Sequence, residues 1–434
     1  MSYGSLALRR RMALLPENSL IWLLMGAAFL AAPWVFSSNS AISVLSLTGI
    51  AIVFALSYNM LFGQTGLLSF GHAVYYGLGA YLTMHALDYF VAAGIPFPVE
   101  LLPLVGGAGG LVFGLVLGYI STRRAGITFA MISLGIGVLM AALAVILRRF
   151  FGGDGGLSGD PARAAHWFGV AFSQPIQLYY LVAAWCMICI GAMYFFTTTP
   201  LGQISNAVRD NPERAQFIGY NTHRVRFRVH ALAGMFAGVA GGLAAIVNGI
   251  VTPDMLGLTN SGEVLMMVYI GGAGIFFGPI AGAIILTFME VLLSNYTHAW
   301  QLYIGLLFVL IVMYVPGGVA SLIQMHLPLL RRRRFKPLLG PYALMAPPGA
   351  VFTLGLVFMV QMAYHLNGVM VFLNRPFTFL GVRFHAHSPW TWTGALVITA
   401  GALWVCRLVG RRVVRAWDEV TADLACAQAE GELQ

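Results

Sequence analysis

The chain is 434 residues long, 59% hydrophobic and only 9% charged, with a formal net charge of +9. A soluble domain carries about 25% charged residues, so this composition cannot furnish a water-facing surface and excludes an ordinary soluble fold. The 24 basic residues lie almost entirely in short loops between apolar runs, which makes the positive charge a signal of membrane topology and removes nucleic acid as an expected partner.

A bilayer core of about 30 Å needs about 20 apolar residues per crossing helix, and runs of that kind fill most of the sequence. The chain begins with Arg9 to Arg11 ahead of an apolar stretch from Ser19 to Phe36. This is also the pattern of a signal peptide, but a second span comes almost at once, so an uncleaved first helix is expected. Spans are predicted over 19–36, 41–62, 69–87, 101–121, 126–147, 177–196 and 229–250. The apolar stretch from Glu263 to Leu293 is too long for one straight span and is interrupted by Gly271, Gly272, Gly274, Gly278 and Pro279, which predicts two shorter or re-entrant pieces. A span over 301–315 closes the main body. After the basic run Arg331 to Lys336 come two more apolar segments, over 343–364 and 389–409, and a polar tail. The expected fold class is all-α: a polytopic transmembrane bundle with about 10–12 membrane segments, some of them broken or re-entrant.

With the N-terminus inside, 19 basic residues fall on the cytoplasmic side and Arg148, Arg149, Arg163, Arg375 and Arg383 fall outside, in agreement with the positive-inside rule. Both termini are then expected in the cytoplasm. Of the four cysteines, Cys186 and Cys189 are spaced as CxxC inside an apolar segment and read as packing residues rather than a redox or metal site. Histidines His72, His85 and His230 also lie in apolar segments, where a packed, hydrogen-bonded role is the commoner one.

Chemistry that is missing narrows the function. Lys336 is the only lysine, so the chain has no phosphate-binding loop of the GxxxxGK[ST] kind, and any ATP-driven role requires a partner. No HExxH is present, and Gly156-Leu157-Ser158-Gly159-Asp160 lacks the last glycine of a nucleophile elbow, which disfavours a membrane enzyme. Asp88, Glu100, Glu263 and Glu290 lie near segment ends, and the first six spans have no acidic residue at mid-span, which disfavours an ion-coupled carrier.

Two stretches carry positive information. In the cytoplasmic loop 197–228, Asp210 or Asn211 can cap a short helix with Pro212 and Glu213 in its first turn and Gly219 at its stop. Such a helix reads as a docking element for a cytoplasmic partner. Glycine-rich sequence recurs from Gly63 to Gly79 and from Gly271 to Gly282, either as paired helix breaks around a substrate path or as close-packing surfaces. Gly63 and Gly66 are expected to break the helix, and Ser69 to cap the next one, so that a helix N-terminus faces the path.

Glu213-Arg214-Ala215 followed by Gly219 resembles the EAA-x-x-x-G loop of ATP-binding cassette importer permeases, with Arg214 in place of one alanine. The stretch from Leu61 to Tyr81 resembles a signature of the membrane subunits of branched-chain amino acid importers and their urea and amide relatives. Gly152 to Leu157, Pro200-Leu201-Gly202, Gly271 to Gly274 with Gly278-Pro279, and Pro316-Gly317-Gly318 occur in the same order. The resemblance covers roughly residues 20–325 and implies a permease domain over 19–325, with 197–228 as its coupling loop. Around it would lie a cytoplasmic segment 1–18, a basic linker 326–342, a C-terminal extension 343–409 with two membrane helices, and a cytoplasmic tail 410–434.

It further implies a second, related permease subunit, two ATPase subunits that bind ATP and magnesium, and a periplasmic binding protein, in a bacterial inner membrane, with no cofactor on this chain. The path residues would be Gln64, Ser69, Gly71, His72, Tyr76, Gly272 and Gly274. Arg209, Asn211, Glu213, Arg214, Ala215 and Gly219 would form the ATPase coupling element. An ion-driven carrier and a membrane enzyme or scaffold are the rival readings.

Overall fold

The computed structural model describes residues 14–165, 167, 172–297, 299–315, 317–331, 336–367, 377–379, 381–384 and 388–432. The chain divides into two compact units, Met1–Val291 with Leu307–Ala320, and Leu292–Leu306 with Ser321–Gln434. Among the described residues, eight helices are long and apolar enough to cross a membrane, or nine if the bent pair Trp300–Tyr314 and Gly318–Leu327 counts as one span. The predicted polytopic helical bundle is therefore the fold the chain forms.

In the first unit, α1 (Leu14–Val35) is followed by α2 (Asn39–Thr65), α3 (Ala73–Ala93), α4 (Leu102–Ser121) and α5 (Ile127–Ile146). A single turn, α6 (Arg148–Phe151), leads to α7 (Pro175–Thr198), the short α8 (Pro200–Asp210) and α9 (Pro212–Phe217), and the long α10 (Thr222–Asn248). The hairpin α11 (Leu258–Gly271) and α12 (Gly278–Tyr296) precedes α13 (Trp300–Tyr314).

At the centre, α10 packs against α2, α3 and α4, and glycines set how closely. A Cβ on Gly238 would meet the Gly110 Cα at 2.9 Å and the Gly106 backbone, and Gly79 lies against Gly238 in turn. Small residues let helix backbones approach in lipid, where dispersion and not water release drives association. Sheathed in this way, α3 carries Tyr75, Tyr76, Tyr81, Thr83 and His85 and is not among the helices apolar enough to cross alone. By contrast, α5 leaves Ile127, Met131, Val138 and Leu139 uncovered, the residue types that face lipid. The ends are tied by polar contacts. Tyr179 Oη donates to the Phe29 carbonyl (2.7 Å), joining α7 to α1. A two-residue antiparallel ribbon, β1 (Leu157–Ser158) with β2 (Ile250–Val251), pins the segment after α6 to the end of α10. Cys186 and Cys189 are buried free thiols in α7, in keeping with a packing role.

The second unit contains α14 (Gly318–Arg331) from Ser321 on, α15 (Lys336–Asn367), the hairpin β3 (Phe377–Phe379) with β4 (Val382–Phe384), and α16 (Pro389–Glu432). Phe358 of α15 touches Phe379 and Phe384 with ring centroids 5.1 and 4.9 Å away. A cavity of about 410 Å3 beneath the hairpin is lined by Leu354, Phe358, Trp390 and Ile398 among others. His326 Nε2 lies 3.0 Å from Tyr342 Oη, which also accepts from Trp417 Nε1 (2.7 Å), so one hydroxyl joins α14, α15 and α16. The expected tail 410–434 is not separate from the last span: α16 continues to Glu432. A helix of 44 residues is about 66 Å long and outruns a bilayer core of about 30 Å, so its polar end emerges as helix. Residues 1–13, of the expected N-terminal segment, and Arg332 to Phe335, of the basic run, lie outside the described residues.

Candidate functional site

The helix break between α2 and α3 is made by one glycine. α2 passes through Gly63 and ends at Thr65, and Gly66 comes next at φ +70°, donating its N–H to the Phe62 carbonyl (3.0 Å). A left-handed cap residue closes a helix at little cost only when it lacks a Cβ. The expectation that Gly63 also breaks the helix is corrected. Gly63 is helical, and a Cβ there would strike Asn59 and the Ala273 carbonyl. Its role is close approach, and the contact brings the two glycine-rich stretches of the sequence together.

Ser69 does not cap α3. Its Oγ accepts only a long contact from the Gly71 N–H (3.4 Å), while the first N–H of the helix, on Ala73, donates to Ser261 Oγ of α11 at 3.1 Å. The loop runs three residues past Ser69 before the helix starts, so its hydroxyl is out of register with the orphan donors. The next two donors, on Val74 and Tyr75, go to the Gly71 and His72 carbonyls. The first three donors of α3 are thus satisfied within the protein.

The loop is held from below by α2. Tyr58 Oη donates to the Ser69 carbonyl (3.0 Å) and accepts from the Ser69 N–H (3.3 Å). Phe70 donates its N–H to Ser133 Oγ of α5 (3.0 Å). His72 is fully buried, with Nε2 3.0 Å from Ser57 Oγ. Because the Ser57 hydroxyl donates to the Phe54 carbonyl (2.7 Å), it accepts from His72, which places a proton on Nε2. Phe54 stacks on that ring at 5.6 Å and Tyr58 meets it edge-on at 5.3 Å. His230 pairs with Tyr75 Oη (2.7 Å), and His85 Nε2 donates to the Phe150 carbonyl (2.7 Å).

Among the expected path residues, Gln64, Ser69, Gly71, His72 and Gly272 are buried, Tyr76 is half-buried and Gly274 is exposed. Asn59 Oδ1, Gln64 Oε1 and His72 Nδ1 are buried acceptors without a hydrogen-bond partner, and such groups call for a donor. Gly272 and Gly274 lie in the turn between α11 and α12. α11 has 14 residues, about 21 Å of helix, too short to cross. A Cβ on Gly271 would strike Gly278, and one on Gly282 would strike Met267, so the pair folds back as the tight, broken element that the glycines predicted.

The segment between α7 and α10 consists of two capped helices. Thr199 Oγ1 accepts from Gly202 N (3.3 Å) to start α8, and Asn211 Oδ1 accepts from Arg214 N (2.9 Å) to start α9 with Pro212 in its first turn. Gly219, at φ +97°, ends α9, with Tyr220 N–H bonded to the Ala215 carbonyl (3.1 Å). Val208, Ala215 and Val225 are buried together, while Glu213, Arg214, Phe217 and Ile218 are exposed, Phe217 to 91%. Arg209 turns the other way: its Nη1 donates to the Gly63 carbonyl and its Nε to Asp210 Oδ1 (2.9 Å).

Tyr58, Ser57, Ser133 and Ser261 are absent from the sequence-derived set although they hold the break together. Their signal is a lone polar group in an apolar run, which marks a need for a partner and not which partner it finds.

A helical membrane bundle with a glycine-rich helical hairpin and a capped, exposed helix pair is the architecture of a solute-transport subunit. Its sequence matches over residues 40–316 the family described as branched-chain amino acid transport system / permease component, and the chain belongs to that family. It is 26% identical to the high-affinity branched-chain amino acid transport system permease protein LivM of Salmonella typhimurium, over 70% of this chain and 76% of that protein. To LivM of Escherichia coli K12 it is 26% identical, over 69% and 75%. To the LivH permease of the same strain it is 23% identical, over 61% of this chain and 89% of LivH. No solved structure matches the chain.

Proposed function

We propose that the chain is a permease subunit of an ATP-binding cassette importer in the bacterial inner membrane, with both termini in the cytoplasm. It pairs with a second, related permease to form the path for a branched-chain amino acid delivered by a periplasmic binding protein, and two separate ATPase subunits drive it. The observation that carries this reading is the helix pair α8 and α9, capped at both starts and presenting Glu213, Arg214, Phe217 and Ile218 to solvent. Ordered, exposed apolar side chains on a short surface helix are the anchors of a protein interface. Similarity to both LivM and LivH supports a paired permease. The orphan acceptors Asn59 Oδ1, Gln64 Oε1 and His72 Nδ1 would favour an ammonium over an anion along the path.

The test is affinity purification of the tagged chain, coexpressed with the candidate ATPase subunits, together with uptake of labelled leucine and urea in a deletion strain. We expect ATPase copurification and leucine uptake. F217D and E213A abolish both while the chain still inserts, because neither side chain is covered within the protein. Uptake without any ATPase would establish an ion-driven carrier instead, and uptake of urea alone would move the substrate to the amide branch.

A further inference from the structure

Within that function, the geometry points to Arg209 as a positioning residue that ties the α8–α9 segment directly to the helix break at Gly66, so that movement of the segment reaches the loop 66–72 through this contact. The segment is joined covalently to the bundle at its two ends, through α7 and α10. Arg209 supplies a third attachment, to α2. The last carbonyls of a helix have no partner within it. At the end of α2, Gly66 N–H takes the Phe62 carbonyl and Leu67 N–H the Leu61 carbonyl, which leaves the Gly63 carbonyl for the Arg209 guanidinium. A cation at a helix C-terminus is also favoured by the helix dipole.

Three features distinguish this contact from a solvated surface arginine. The guanidinium is split between two acceptors, the Gly63 carbonyl and Asp210 Oδ1, a geometry suited to its planar fork of donors. The Arg209 side chain is 35% exposed, whereas its neighbours on the tip are open to solvent. Its Cγ lies 3.1 Å from where a Gly66 Cβ would be, so the aliphatic stem lies against the one residue whose left-handed backbone makes the break. Beyond Gly66 the loop is bonded through Tyr58, Ser133 and Ser261 to α2, α5 and α11, which gives a displacement at Gly66 several helices to act on. Arg209 was expected to belong to the ATPase-facing set. The contact assigns it instead to the membrane side of the coupling element.

The experiment uses the complete importer in proteoliposomes, with both permeases, both ATPases and the binding protein, and measures substrate moved per ATP hydrolysed. R209A is expected to lower that ratio about tenfold or more, the factor that corresponds to losing a charge-assisted hydrogen bond, while the ATPases still copurify. R209K and D210N keep part of the contact and are expected to give smaller losses. They keep the test readable if R209A does not accumulate. An unchanged ratio in R209A, or in both R209K and D210N, overturns the inference. Loss of ATPase copurification in R209A also overturns it, by moving Arg209 to the docking face. Failure of the unsubstituted chain to copurify with ATPase would overturn the importer reading itself, and the inference with it.

Discussion

Ser69 and Ser261 separate what spacing suggests from what contact decides. Both are buried serines, and Ser69 stands in the right stretch to cap α3, yet the helix donor goes to Ser261, far away in sequence. Loss of a helix cap costs about 1 kcal/mol, within a range of roughly 0.5–2, and here it would also leave a donor buried. S261A should therefore lower the melting temperature of the purified chain in detergent clearly more than S69A, whose hydroxyl makes only one long contact. The opposite order, measured by thermal shift, would restore Ser69 as the cap. A normal melting temperature in S69A combined with lost uptake would instead give Ser69 a role in the path. The capping of α9 was legible in the sequence because Asn211, Pro212, Glu213 and Gly219 act within nine residues of one another. The capping of α3 was not, because it runs between residues 73 and 261.

At the scale of elements, the glycines do two different things that composition cannot separate. Gly66 and Gly219 supply backbone conformations, and Gly238, Gly79, Gly106 and Gly110 supply proximity. The first glycine-rich run supplies both a helix end, at Gly66, and close packing, at Gly63 and Gly79. Overpacking a close interface typically costs about 1–3 kcal/mol, and here a larger side chain would meet backbone that cannot yield. G238L should abolish accumulation of folded chain. G191L, at a position in α7 with nothing within 4 Å of a Cβ, should leave it within about twofold, since a substitution without tertiary contact changes stability little. Fluorescence-detected gel filtration of both variants checks this, and a folded, monodisperse G238L would remove the glycine seam as the determinant of packing around α10. Tyr58 and His72 show why the break is stiff: one phenol satisfies both backbone groups of Ser69, and aromatic rings enclose the imidazole.

For the whole molecule, charge placement predicts which side each end of α10 faces. The α8–α9 segment joins α10 at Thr222, and the ribbon β1–β2 closes on its far end, after Asn248. At 27 residues the helix spans about 40 Å, enough to carry these two ends to opposite membrane faces. In a background lacking the native cysteines, Q216C should react with a membrane-impermeant maleimide only after the inner membrane is opened. D154C, on the exposed turn before β1, should react in cells with only the outer membrane permeabilised. The reverse pattern would invert the topology expected from the split of 19 basic residues inside against five outside.

What the sequence determined by itself was whatever the bilayer or a short stretch of chain enforces. That includes a polytopic helical fold, since unpaired backbone cannot enter lipid, a break where glycine interrupts an overlong apolar run, and a capped helix pair between α7 and α10. It also includes the lack of a phosphate-binding loop of the GxxxxGK[ST] kind, since Lys336 is the single lysine. Only the tertiary structure decided that Gly66 alone ends α2, that Ser261 caps α3, that Tyr58 and Ser57 hold Ser69 and His72, and that Arg209 points into the bundle. The last three of these are polar groups finding their partners across helices. In a low-dielectric interior such a pairing is strongly required, but the requirement names no partner, and only the packing of the helices selects one.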